Sequence, residues 1–176
     1  MKRCGRAQWL IQTLCRSDTG VRVTIAAVGR LRGGPERDII DDYLARFDRT
    51  GRPHGLGPVE VVEVDERKGG GMAGEGKLLD AAIPDGAWRI ALDERGKVMT
   101  SPDFANMLQM RADDGQRDIA FIIGGADGID PALRKRCNGA LSFGKMVWPH
   151  MLVRVMLAEQ LYRAATIQAQ LPYHRV

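Results

Sequence analysis

The stretch IAFIIGGADG, residues 119–128, decides the fold class. Five consecutive apolar residues, Ile119 to Ile123, show no alternation between a wet and a dry face, which predicts a strand buried on both sides. Such strands lie in the middle of open α/β sheets whose two faces are covered by helices. The run stops at Gly124-Gly125, with Gly128 just beyond. Adjacent glycines let a backbone adopt positive φ or approach a neighbour closely. This corner therefore reads in two ways: as a tight strand-to-helix turn, or as a cradle whose amides meet a nucleotide-like cofactor. The dinucleotide fingerprint is GxGxxG after a first strand, with an acid about 20 residues later. GGxxG after a fourth strand does not match it.

Working outward, strand-like and helix-like segments alternate. VRVTIAAV (21–28), VEVVEVD (59–65) and WRIALD (88–93) predict three strands before the glycine corner, and ALSF (140–143) predicts one after it. Pro35, followed by Ile39, Ile40, Tyr43, Leu44 and Phe47, predicts a helix after the basic turn that holds Arg30 and Arg32. RKGGGMAGEG (67–76) reads as a flexible loop and Glu75 to Ile83 as a short helix. Ser101-Pro102-Asp103 marks a helix start with Ser101 as N-cap, Asp130-Pro131 opens another, and Pro149 opens a last helix reaching about Gln168. The alternation predicts an α/β fold, a mostly parallel sheet with helices on both faces. Ligands of such sheets sit at the carboxyl ends of the strands, which points to the loops after Leu92, Ile123 and Phe143.

The chain has 176 residues, 44% hydrophobic and 27% charged, enough for one domain with a proper core. No apolar run approaches the roughly 18 residues of a membrane span. A formal charge of +4 is mildly basic and permits a polyanionic partner without requiring one. Cys4, Cys15 and Cys137 have neither zinc-site nor disulfide-framework spacing, and read as reduced thiols of a cytoplasmic protein. Residues 1–20 fail as a secretory signal, because Gln12 and Thr13 interrupt the apolar stretch. They are expected to be a disordered extension or a start-site artefact before a domain at 21–176.

Asp93 and Glu94 end a strand and read as ribose ligands or as solvated turn acids. In SFGKMVWPHMLVRVMLAEQLYRA (142–164), Val153, Leu157, Leu161 and Ala164 form a core-facing stripe, with Glu159 and Arg163 an i,i+4 pair on another face. His150 and Arg154 project from the end of that helix nearest the candidate ligand loops. No second His or Cys sits at metal-ligand spacing, so no metal is expected. The tail Pro172-Tyr173-His174-Arg175 carries chemistry-bearing side chains where termini ordinarily fray.

IGGADG, then SFGKMVWPHMLVRVMLAEQLYRA, then PYHR at the C-terminus together resemble the large-subunit ribosomal RNA methyltransferase H family, a SPOUT-class family; AAVG (26–29) resembles its usual opening. The resemblance runs from Val21 to Arg175. It implies a C-terminal trefoil knot and S-adenosylmethionine as cofactor. The matching cofactor contacts are Leu92, Asp93, Gly124, Gly125 and the stretch Gly144, Lys145, Met146, Val147, Trp148 and Pro149. It further implies a homodimer that methylates N3 of a pseudouridine in 23S rRNA, without metal or membrane. His174 is expected as base with Glu159 second, Arg154 and Arg175 as holders of phosphate or developing charge, and Tyr173 as a stacking face for a splayed nucleotide. Weak net charge favours the assembled ribosome over naked RNA as substrate.

The chain departs from the family pattern in places. Ala126-Asp127 stands where proline and glutamate are common, Gly144 and Val147 where hydroxyls are, and Met151 where a polar residue or proline is. Those changes keep a second reading open, a non-catalytic ribosome- or RNA-binding protein on the same knotted scaffold.

Overall fold

The computed structural model describes residues 20–174. Its strands are β1 Val21–Val28, β2 Leu56–Val64, β3 Trp88–Val98, β4 Asp118–Ile123 and β5 Gly139–Ser142. They form one sheet in the order β2-β1-β4-β3-β5, and every pairing is parallel. The helices are α1 Pro35–Gly51, α2 Glu66–Gly69, α3 Met72–Ala81, α4 Ser101–Asp113, α5 Pro131–Lys135 and α6 His150–Gln168.

All of β4 is buried and lies at the centre of the sheet, as its sequence requires. Its side chains alternate between two cores. Ile119, Phe121 and Ile123 join β1 residues such as Ile25, together with Phe47 of α1, Leu108 of α4 and Leu157 and Leu161 of α6. Ala120 and Ile122 face the other way, toward Leu79 of α3 and Leu133 of α5. Alanines at 26, 91 and 120 keep that second face shallow, so the shorter helices lie close to it. Each large apolar side chain removed from water here contributes about 1.5–3 kcal/mol relative to exposure.

Several local features differ from the sequence-based expectation. The glycine-rich stretch 67–76 is mostly helical: Asp65 accepts a hydrogen bond from the Arg67 amide at 3.1 Å to start α2, and α3 follows at Met72. Gly70 and Gly71, with φ of 67° and 99°, form the corner between them. Glycine there punctuates helices and does not dissolve them. The N-cap of α4 is Thr100, not Ser101; its hydroxyl accepts from the Asp103 amide at 3.2 Å. Strand β3 continues past the expected turn. Leu141 of β5 pairs with both Leu92 and Lys97, so residues 93–96 loop out and the chain returns to the same partner. A Cβ on Gly96 would lie 2.7 Å from the backbone of both Ala140 and Leu141, which shows how tightly β5 is gripped.

Candidate active site

At the carboxyl edge of β3, β4 and β5 is a cavity of about 640 Å³. Its walls come from residues 92–95, 123–129, 141–144, 146–150 and Val153. These are the loops that the sheet topology singles out. Of the residues expected to hold a cofactor, Leu92, Asp93, Gly124, Gly125, Gly144, Met146, Val147, Trp148 and Pro149 line it. Lys145 is exposed and is not part of the wall.

The glycine corner is both a structural necessity and a wall. A Cβ on Gly124 would collide with the Gly128 carbonyl and lie 2.8 Å from the Ile129 nitrogen. Gly125 and Gly128 form an antiparallel bridge, the Gly128 amide donating to the Gly125 carbonyl at 3.1 Å. Behind Gly125 a Cβ would meet Glu75 Oε2 at 2.9 Å and Val28 Cγ1 at 3.2 Å. Burial pushes the Glu75 carboxyl above the usual range, with Asp127 and Glu66 adding to the effect. The opposite wall is set by Ser142, which sequence reasoning missed. Its buried hydroxyl donates to the Gly144 carbonyl at 2.7 Å and accepts from the Gly144 amide at 3.2 Å, fixing the turn where Gly144 has φ 120°. A serine two residues before a glycine at a strand end was the available signal.

Asp93 is saturated by cations. It accepts from the Arg95 amide at 2.9 Å and from Arg95 Nε at 3.0 Å. Arg134 Nε lies 2.9 Å from its other oxygen, near enough for an ion pair but too far off line for a hydrogen bond. The Arg95 hydrogen bond holds the Asp93 carboxyl below its ordinary range, although burial works the other way. Asp93 thus braces the excursion 93–96 against α5.

His150 lines the cavity. Burial, and then the charge of Arg154, lower its pKa, while Glu66 opposes them, so the imidazole is neutral at pH 7. Arg154 corrects an expectation. Its side chain is 2% exposed and turned away from the cavity. It pairs with Glu63 at 3.0 Å and donates to the carbonyls of Val28 and Gly29, the latter at 2.9 Å. Such a guanidinium ties α6 to the ends of β1 and β2 and has no face left for phosphate.

The tail is held. The Tyr173 hydroxyl donates to Glu159 Oε1 at 3.1 Å, its ring centroid lies 4.7 Å from that of Tyr162, and the Arg163 guanidinium sits 4.8 Å above it. Burial raises the Tyr173 pKa well above the ordinary phenol value, with Tyr43 and Glu159 adding to the rise. Glu159 also accepts from Arg163 Nε at 2.9 Å and from Gln160 at 2.7 Å. His174 Nδ1 is 3.4 Å from Arg163 Nη1. None of Tyr173, His174 and Glu159 lines the cavity of its own chain. The expectations for residues 1–19 and for Arg175 lie outside the described residues.

Residues 21–174 match the family model described as "Predicted SPOUT methyltransferase". The chain is 65% identical over 156 residues to Ribosomal RNA large subunit methyltransferase H of Dinoroseobacter shibae, covering 89% of this chain and 100% of that protein. The chain belongs to the ribosomal RNA large subunit methyltransferase H family. The protein of the same name from Roseobacter denitrificans is 66% identical over 155 residues, covering 88% of this chain and 99% of its own. A methylase family protein from Neisseria gonorrhoeae shares the fold alone, with a TM-score of 0.50 at 15% identity over 91% of this chain and 88% of that one. Membership in this SPOUT family implies the C-terminal trefoil knot, a rare exception to the rule that connections do not thread loops.

Proposed function

We propose that this chain is an S-adenosylmethionine-dependent enzyme that methylates N3 of a pseudouridine in 23S rRNA, acting as a homodimer on the assembled ribosome in the cytoplasm. The cavity carries the reading. In a chain of this family, it is walled by the glycine corner, the Ser142-set turn and the apolar side chains of Leu92, Met146, Val147 and Trp148. Those residues fit the cofactor, with backbone amides for its polar groups and apolar walls for its adenine. When bound, it supplies an electrophilic methyl group.

The chain's own residues then have the work of aligning the acceptor nitrogen and removing its proton. An imidazole suits the proton transfer, and His174 is assigned that role. Within one chain, about 20 Å of α6 separates the His150 end from the Arg163 that holds His174. In this reading a second copy brings its tail to the cavity. Exposed Met146, Val147, Trp148, Met151 and Leu152 form a contiguous apolar rim beside it, the kind of patch that a partner covers. Tyr173, packed by Tyr162, Arg163 and Glu159, suits a brace of the tail better than an open stacking face, and Arg154 holds the scaffold.

The test is transfer of tritiated methyl to 70S particles, with the product base mapped in 23S rRNA. Wild type is expected to label one pseudouridine, and His174→Ala to slow labelling by at least about a hundredfold. Full turnover by His174→Ala removes the base assignment. A folded protein that gives no heat with S-adenosylmethionine would favour the non-catalytic RNA-binding reading.

A further inference from the structure

Among the described residues most arginines, from Arg22 and Arg37 to Arg136 and Arg163, ion-pair with a carboxylate. Of the other described cations, four gather at one place. Arg30 and Arg32, in the turn after β1, and Arg67 and Lys68, in α2 directly after β2, are exposed and ion-pair with no carboxylate among the described residues.

The two segments are neighbours in space. Val28 pairs with Val64, the Gly29 amide donates to the Val64 carbonyl at 2.9 Å, and the Leu31 amide donates to Glu63 at 3.1 Å. Half-buried Leu31 packs into the core beside α1 and leaves the arginines on either side of it in water. Of the nearby acids, Glu63 is engaged by Arg154 and the Leu31 amide and Asp65 by capping α2, while Glu36, Asp38 and Glu66 offset part of the positive charge. Glu66 lies closest, with Oε2 3.9 Å from the position of a Cβ on Gly29. The group abuts the cavity, since Nε2 of the cavity-lining His150 is 3.7 Å from that same position. Gly29, at φ 85°, lacks the side chain that would separate the two.

We infer that Arg30, Arg32, Arg67 and Lys68 form a phosphate-binding rim that seats the RNA backbone next to the cavity. This rests on the proposed activity and extends it to the way the substrate is held. Unpaired cations on one side of a pocket, in a chain whose other arginines are mostly neutralised, concentrate the field where a polyanion must approach. Contacts of this kind position the RNA and carry no sequence information.

The experiment measures binding of the full-length protein to purified 70S ribosomes as a function of salt. The variants are Arg30→Glu/Arg32→Glu, Arg67→Glu/Lys68→Glu and their combination. A control, Arg117→Glu, reverses a charge at the amino ends of the strands, opposite the rim, where the Arg117 carbonyl accepts from the Arg22 amide. The combined variant is expected to bind at least about tenfold more weakly and to lose about 3 from the log–log salt slope, while Arg117→Glu stays within about twofold of wild type. A set of four glutamine substitutions gives the same readout if charge reversal unfolds the protein. Equal binding by rim variants, control and wild type overturns the inference. Methyl transfer by the wild type is read separately. Its absence would remove the proposed activity, while the ribosome-binding affinities alone decide the rim.

Discussion

Replacing Arg154 with methionine separates a scaffold role from a substrate role. The side chain is 2% exposed and satisfies Glu63 together with the carbonyls of Val28 and Gly29. Methionine keeps much of the volume but strands Glu63, 17% exposed, with only the Leu31 amide, and leaves the buried end of β1 short of a donor. Breaking a buried pair from one side costs about 3–5 kcal/mol. For a chain of this size that is a fall in Tm of about 6–20 °C. The assay is urea unfolding followed by circular dichroism at pH 7 and one fixed protein concentration. Arg154→Met/Glu63→Leu should recover a large part of the loss, because neither charge is then buried alone. A loss below about 1 kcal/mol for Arg154→Met, combined with collapse of methyl transfer, would refute the assignment. It would place the guanidinium on substrate after all.

Two further outcomes follow from the geometry. Gly124→Ala drives a Cβ into the Gly128 carbonyl, so binding of S-adenosylmethionine measured by calorimetry should weaken by at least about tenfold, since the methyl group meets backbone that cannot rotate away. Unchanged affinity would mean that the corner is not a wall of the site. Tyr173 has its pKa raised in the folded state, so the stability it confers is complete below the ordinary phenol pKa of about 10 and is lost as pH rises through the folded value. Ultraviolet titration should show one phenol that ionises only with alkaline unfolding, and Tyr173→Phe should abolish that late component. Ordinary titration of all tyrosines would show that the tail is not packed.

The central strand was legible because nothing but burial explains five apolar residues in a row. The order of the strands was not, since pairing of β4 between β1 and β3 depends on contacts far apart in the chain. Gly124 and Gly125 stood out as adjacent glycines at a strand end, where a Cβ would strike backbone or Glu75, whereas Gly144 was reached only through the family resemblance and its reason lies in its φ of 120°. Arg154 was misread because an arginine near a helix start looks like an anion ligand. Yet 154, 157, 161 and 165 lie on one helical face, all buried, and Glu63 waits in β2 as its counter-charge. Stretch 67–76 was misread because three glycines in a row suggest slack, while the two at 70 and 71 serve as the corner between helices.

The cavity gathers its walls from segments between residues 92 and 153, with the last of them at the beginning of the final helix. During synthesis, then, nothing resembling a finished binding site exists until nearly the entire polypeptide has emerged. A small molecule seated there cannot guide the early collapse of the sheet. It acts instead as a late clasp on the C-terminal third, slowing its unravelling more than it hastens its formation.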